Sequence, residues 1–313
     1  MRVATVRSDA GHHVAVLAVR AGAPAWVPVA DAARLLLGDD ACPAALAGLL
    51  RRDGPELPTV RRVLAALEGE WPSFGLAAWA PAEVRFAPPV LDPGAFLDFY
   101  AFERHVRASR ARRGLEMPEQ WYRFPAYYRS NHRSFLGSGA QVRFPAGETM
   151  MDFELEVAAV LGAPLRHASP AEAEAAIAGF CLLNDWSARA LQREVMAIGL
   201  GPSKAKDFGT SLGPWLVTPD EAGELGGIAF AVRVNGETWS ETDAAAMHWS
   251  WGELLAFASE DADFEPGDVF GSGTLGGGCG LELGRFLADG DAVELDGGER
   301  FGVLAGTVRR REG

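Results

Sequence analysis

Polar and apolar residues alternate from Asp152 to Val157 and then give way to the apolar run Ala158–Leu161. A period of two predicts a strand, with Phe153, Leu155 and Val157 on one face and Asp152, Glu154 and Glu156 on the other. Similar patterns predict strands at Arg2–Val6, His13–Val19, Trp26–Val29, Phe180–Asp185, Trp215–Thr218, Ile228–Val234, Asp268–Phe270, Ala292–Leu295 and Phe301–Thr307. Asn235-Gly236 marks a hairpin. Helical spacing occurs at Ala30–Leu37, Ala44–Arg51 and Val60–Leu67, at Pro170–Ile177 behind the cap Ser169, and in a short helix ending at Leu254–Ser259. Phe96–His105 also reads as a helix after the start signal Asp92-Pro93-Gly94, although its aromatics suit a strand entering a helix as well.

These elements predict an α+β fold that is mostly β. Five prolines, Pro72, Pro81, Pro88, Pro89 and Pro93, mark a boundary. The expected division is a small accessory domain at 1–71, a linker at 72–93 and a main domain at 94–313.

The patterning raises a question of charge. Three carboxylates on one strand face repel unless a cation lies among them or water screens them. Asp185, at the end of an apolar strand, is a further oxygen ligand for such a cation. The alternative for Asp152, Glu154 and Glu156 is the solvated face of an edge strand. Asp98 and His105, seven apart, would share a helix face about 10 Å apart along the axis. That suits an acid at a metal with a histidine acting beyond it, or equally a capping Asp and a satisfied His.

With 313 residues and 48% apolar content, the chain has ample material for a core. A formal charge of −13 argues against general nucleic-acid binding. Cys42, Cys181 and Cys279 are far apart and show neither zinc-ligand spacing nor a disulfide framework. The sequence shows no secretory leader and no run long enough to span a bilayer, so a cytoplasmic location is expected. All but two of the 29 basic residues are arginine, which singles out Lys204 and Lys206 as places that want a compact ammonium. Nine arginines between Arg104 and Arg143 form a basic island suited to an anionic ligand, or a solvated face. All four tyrosines fall between Tyr100 and Tyr128, where their hydroxyls could reach a pocket.

Two motifs are set aside. Gly271-Ser272-Gly273-Thr274-Leu275-Gly276 has the dinucleotide spacing, but further glycines follow where a helix should open. Gly209-Thr210-Ser211-Leu212-Gly213 has the nucleophile-elbow spacing, but an extended segment follows it, which leaves a serine hydrolase as a minor alternative.

Taken together, Asp98-Phe99-Tyr100 with His105, Glu154-Leu155-Glu156, Asn184-Asp185-Trp186-Ser187-Ala188-Arg189, Lys206-Asp207-Phe208-Gly209-Thr210, and Gly271-Ser272-Gly273-Thr274 with Leu281-Glu282-Leu283 resemble the fumarylacetoacetate hydrolase family. The resemblance spans residues from about 90 to 305. It implies a mixed β-sandwich or β-roll catalytic domain behind a small N-terminal α/β domain, usually as a homodimer. It implies a divalent cation, Mg²⁺ foremost and otherwise Ca²⁺ or Mn²⁺, on Asp98, Glu154, Glu156 and Asp185. A His105–Glu282 dyad would activate water with Lys206 near the reacting oxygens, and Tyr100, Tyr128, Gln192 and Thr210 would contact substrate. Asp152 is not a ligand in the family pattern.

The implied reaction is hydrolysis of a carbon–carbon bond in a small anionic 1,3-diketo acid, without nucleic-acid or membrane partners. Val195 and Met196 stand where the fumarylacetoacetase branch has a further tyrosine, and Tyr127-Tyr128-Arg129-Ser130-Asn131 replaces its Gly-Tyr-His-Gly-Arg. Acylpyruvate hydrolases, oxaloacetate decarboxylases and dienoate isomerases or hydratases are the other branches, many with three carboxylate ligands. A fourth, Asp98, leans toward hydrolysis. A non-catalytic protein with a structural Ca²⁺ is the alternative of a different class.

Overall fold

The computed structural model describes all residues except 10, 70, 73, 74, 312 and 313. The predicted N-terminal elements form an antiparallel meander, β1 (Arg2–Ser8), β2 (Gly11–Arg20) and β3 (Ala23–Pro28), packed on α1 (Val29–Leu37), α2 (Leu46–Asp53) and α3 (Pro58–Gly69). The proline-rich stretch supplies β4 (Arg85–Ala87), which pairs with β1.

Next come β5 (Phe96–Phe99) and α4 (Glu103–Ala111), so the continuous helix expected over Phe96–His105 does not form. All four residues of β5 are buried and the strand is paired on both edges, a setting that favours extended aromatics over a helix with one apolar stripe. Asp98 therefore lies on a strand and His105 on a separate helix.

Then follow β6 (Tyr127–Arg129), β7 (Phe135–Leu136), β8 (Ala140–Phe144), β9 (Met151–Asp152), β10 (Leu155–Leu161), α5 (Pro170–Ala175), β11 (Ile177–Asp185), β12 (Ser187–Ala188), α6 (Arg189–Met196) and β13 (Thr210–Val217). The alternating segment is interrupted at Phe153-Glu154, because β9 leaves to pair with β12. The last strands are β14 (Ala229–Val234), β15 (Glu237–Asp243), β16 (Val269–Gly271), β17 (Ala292–Asp296) and β18 (Val303–Arg310). Asn235 and Gly236, at φ 52° and 81°, make the expected β14–β15 hairpin turn.

The larger sheet runs β3-β2-β1-β13-β11-β10-β16-β5-β6, with β4 and β7 at its side, and the smaller runs β15-β14-β17-β18-β8. Both are mixed: β16–β5, β13–β7 and β18–β8 are parallel and the other pairs are antiparallel. The expected α+β, mostly β architecture is borne out.

β10 is central, and both its faces are buried, so the edge-strand alternative does not apply. Leu155, Val157, Ala159 and Leu161 enter the core shared with Val232, Leu295 and Val308 of the smaller sheet. Ala158 and Val160 enter a second core with Leu46, Leu49 and Val60 from the N-terminal helices. By strand alternation Glu156 takes the same face as that second core, beyond its edge.

Candidate active site

Neighbouring strands bring three acids together: Asp98 from β5, Glu156 from β10 and Asp185 from the end of β11. One ligand oxygen from each lies within 4.8 Å of the others, and all three residues are buried. β16 runs between β5 and β10, and at Gly271 a Cβ would stand 2.5 Å from Asp98 Oδ1 and 3.0 Å from Glu156 Oε2. Gly273 N–H and the Thr274 hydroxyl donate to Glu156 at 3.2 and 3.4 Å. The glycines that mimic a dinucleotide motif thus make room for carboxylates. Ser211 of the other set-aside motif is buried in β13, accepting from Trp186 Nε1 at 2.9 Å.

Burial, and then the charge of neighbouring carboxylates, pushes Asp98 and Glu156 well above the ordinary carboxylate range. Burial also raises Asp185, against the pull of Lys206. Asp98 Oδ1 and Asp185 Oδ1 are buried without a hydrogen-bond partner. An all-oxygen cluster with two orphaned carboxylate oxygens fits a hard divalent cation.

Glu154 is held differently. Burial would raise its carboxyl, but Lys206 and Arg189 outweigh that and hold it well below the ordinary range. Lys206 Nζ donates to Glu154 Oε2, and Arg189 Nη2 donates to Oε1 at 2.7 Å. The Asn184 side-chain oxygen accepts the Glu154 N–H at 3.0 Å, which fixes the backbone beneath it. Asp152 does not share this face, because the break after β9 turns it away. It accepts from Arg189 Nε at 2.7 Å and from the Gly280 and Leu281 N–H groups at 2.8 and 3.0 Å. Among the described residues, the buried carboxylates Asp98, Asp152, Glu154, Glu156 and Asp185 thus face two buried cations, Arg189 and Lys206. Lys204, the other lysine, is exposed beside Asp207.

His105 Nδ1 lies 2.7 Å from Glu282 Oε1, and Glu282 Oε2 accepts the Gly277 N–H at 2.9 Å. Glu282 is lowered: burial opposes the shift, and the hydrogen bond and charge of His105 outweigh it. The other ring nitrogen, Nε2, is 3.9 Å from Glu154 Oε1.

His105, Glu154, Glu156 and Lys206 line a cavity of about 540 Å³. Two helices run outward along it. His105 and Ser109 line it from α4 with Arg112 and Arg113 just past the end of that helix, and Arg189, Gln192, Arg193 and Met196 line it from α6. The α6 set occupies one helix face, so it flanks the cavity for about 10 Å. Tyr100 and Tyr128 also line it, and the Tyr128 hydroxyl donates to Asp185 Oδ2 at 2.7 Å. Thr210 sits behind Asp185 on β13, fully buried, and is not part of the lining. Of the basic island, Arg112 and Arg113 reach the cavity. Met150, Met196 and Leu281 add an apolar stretch, of which Met150 carries no signal in the sequence.

Fold and site together define an α+β protein with a buried polyanionic centre at the floor of an elongated cavity. Residues 95–309 match the model of the fumarylacetoacetate (FAA) hydrolase C-terminal domain, and the chain belongs to that family, a superfamily of enzymes. It is 31% identical to 2,4-didehydro-3-deoxy-L-rhamnonate hydrolase of Sphingomonas sp. (strain SKA58), over 80% of this chain and 84% of that one. It is 30% identical to fumarylacetoacetase of Oryza sativa subsp. japonica, over 68% of this chain and 66% of that one, so it spans about two thirds of the rice protein. In fold it resembles maleylpyruvate hydrolase from Sphingobium sp. SYK-6, solved with manganese(II) and pyruvate, at TM-score 0.71, 21% identity and full coverage of both chains. It equally resembles 5-carboxymethyl-2-hydroxymuconate delta-isomerase from Mycobacterium smegmatis, at TM-score 0.70, 22% identity and coverage of 99% and 100%. No helix among the described residues is long and apolar enough to cross a membrane.

Proposed function

We propose that the chain is a divalent-cation-dependent hydrolase that cleaves a carbon–carbon bond in a small anionic 1,3-diketo acid, acylpyruvate-like or fumarylacetoacetate-like. The observation that carries this reading is the His105–Glu282 pair, 2.7 Å apart at the edge of the carboxylate cluster. A purely structural cation site needs no such dyad.

Asp98, Glu154, Glu156 and Asp185 would hold Mg²⁺, or Mn²⁺ or Ca²⁺, as hard oxygen ligands. Bound there, the ion supplies positive charge to the oxygens of a 1,3-dicarbonyl. Glu282 keeps the His105 Nδ1 proton occupied, which leaves Nε2 free on the cavity side to take a proton from water. The water oxygen adds to the ketone carbon, the bond to the neighbouring methylene carbon breaks, and that carbon leaves as an enolate that is then protonated. Lys206 and Arg189 supply fixed positive charge beside Glu154, near the developing enolate. Arg112 and Arg113 give the mouth a charge that suits an anionic substrate.

The test follows the ultraviolet band of acylpyruvates and of fumarylacetoacetate with EDTA-treated protein, before and after Mg²⁺ is restored, beside His105→Ala. Ion-dependent loss of the band that falls about 10²–10⁴-fold in the variant is expected. Turnover of an oxaloacetate or a dienoate in place of the diketo acids would instead assign a decarboxylase or isomerase.

A further inference from the structure

Cys279 directly precedes the short Gly280–Leu283 helix, so its thiol lies beside the dyad. Sγ is 3.8 Å from His105 Nδ1 and 3.6 Å from Glu282 Oε1, and those two atoms are 2.7 Å from each other. His105 and Cys279 are buried, and the Glu282 side chain is only 7% exposed. Among the described residues the other thiols join no such ligand cluster: Cys42 donates to the Pro43 carbonyl with Arg52, Asp39 and Asp53 nearby, and Cys181 lies among the apolar residues of the second core.

The distances have a chemical meaning. A tetrahedral Zn²⁺ with ordinary bond lengths to sulfur, imidazole nitrogen and carboxylate oxygen separates S from N and from O by about 3.6 Å, and N from O by about 3.4 Å. Both sulfur distances already lie within roughly 0.2 Å of that geometry. Only the hydrogen-bonded N···O pair must open, by roughly 0.7 Å, as an ion replaces the proton between them.

We propose that His105, Cys279 and Glu282 form a second metal site, selective for a thiophilic ion of the Zn²⁺ class, and that its occupation switches off the dyad. Softness separates the two sites: a thiolate and an imidazole suit Zn²⁺, whereas the all-oxygen cluster of Asp98, Glu156 and Asp185 suits Mg²⁺. On binding, the Cys279 thiol releases its proton to solvent. Nδ1 of His105 gives up its proton to solvent and its lone pair to the ion, and Nε2 takes up a proton from solvent, so the ring stays neutral with its one proton now on Nε2. The nitrogen that faced the cavity as an acceptor becomes a donor and cannot take a proton from water. A water would supply the fourth ligand of the tetrahedron.

The first experiment titrates the Mg²⁺-loaded full chain with Co²⁺ and needs no substrate, so it decides the site whatever the reaction proves to be. One equivalent should produce the near-ultraviolet thiolate-to-cobalt charge-transfer band. The band should be retained in Cys42→Ser, lost in both Cys279→Ser and Cys279→Ala, and bleached by Zn²⁺. Absence of the band from the unaltered protein, or its survival in the Cys279 variants, overturns the site. The second experiment measures turnover of the best diketo acid at saturating Mg²⁺ with increasing Zn²⁺, each variant normalised to its own zinc-free rate. The half-inhibiting Zn²⁺ concentration should rise at least about tenfold in Cys279→Ser. Equal inhibition of both proteins would place the zinc effect at the carboxylates and overturn the switch.

Discussion

Lys206 Nζ stands 2.5 Å from Asp185 Oδ2, while the other oxygen of that carboxylate is buried without a partner. One side chain is divided between a fixed ammonium and the cluster it forms with Asp98 and Glu156. Lys206 and Tyr128 satisfy one oxygen, which leaves the other oriented and desolvated. Asp185→Asn should therefore weaken Mg²⁺ binding by more than the roughly 10–100-fold typical of groups that only support a ligand. Isothermal titration of EDTA-treated protein measures this, with circular dichroism as the folding control. An unchanged affinity would remove Asp185 from the ligand set.

The raised carboxyls of Asp98, Glu156 and Asp185 make a stability prediction with a defined sign. A carboxyl raised in the folded state holds a proton that the unfolded chain releases. Its contribution to stability is complete below the unfolded value near pH 4 and is lost as pH rises through the raised folded value. The ion-free protein should accordingly lose this contribution as pH increases. Mg²⁺ held there as proposed would need the ionised carboxylates, so it would compete with those protons and restore stability where they have left. The Tm increment produced by a fixed Mg²⁺ concentration should be smallest at acid pH and grow as pH rises through the raised folded values, reaching a free-energy gain of about 2.7 kcal/mol at a hundredfold excess over Kd. An increment that shrank with rising pH would contradict the cluster as the binding site.

Arg189 bridges Asp152 and Glu154 at 2.7 Å each, with its side chain 4% exposed. Removing a buried cation leaves its partners as uncompensated charges, at a cost of about 3–5 kcal/mol. Arg189→Leu should lower the urea-unfolding free energy by about that amount, whereas Asp152→Asn, which keeps hydrogen-bonding capacity and leaves Arg189 its second acid, should cost less. Equal losses in the two variants would mean that Asp152, not Glu154, is the partner that matters.

The pairing of Glu154 with Glu156 was legible because a strand period of two puts both on one face whatever lies beyond. Asp185 was legible as an acid closing an apolar strand, and Lys206 because lysine is so scarce in this chain. The wrong readings share a cause. Phe96–Phe99 suits either period, and β5 is decided by β16, about 170 positions away, and by β6 across an intervening helix. Asp152 was grouped with Glu154 because nothing local announces the break at Phe153, which the distant β12 imposes. Cys279 carried no signal at all, since the histidine beside it lies 174 positions earlier.

The cavity itself predicts a substrate preference. Met150, Met196 and Leu281 line it beyond the carboxylate floor, and Met196 stands one full face-repeat of α6 outward from Arg189. An unbranched acyl chain extending from the reacting carbonyl would pass along these side chains and leave water. Each methylene buried there is worth about 0.8 kcal/mol, or roughly fourfold in binding at room temperature. Across a series of acylpyruvates, kcat/KM should rise by up to about that factor per carbon while the chain remains inside the cavity, then level off where it reaches the mouth. Met196→Asp should flatten the series while leaving the shortest substrate least affected, because the change lies about 10 Å from Arg189 along the helix. A flat series in the unaltered protein would mean that the distal part of the substrate is polar and is held by Arg112 and Arg113 instead.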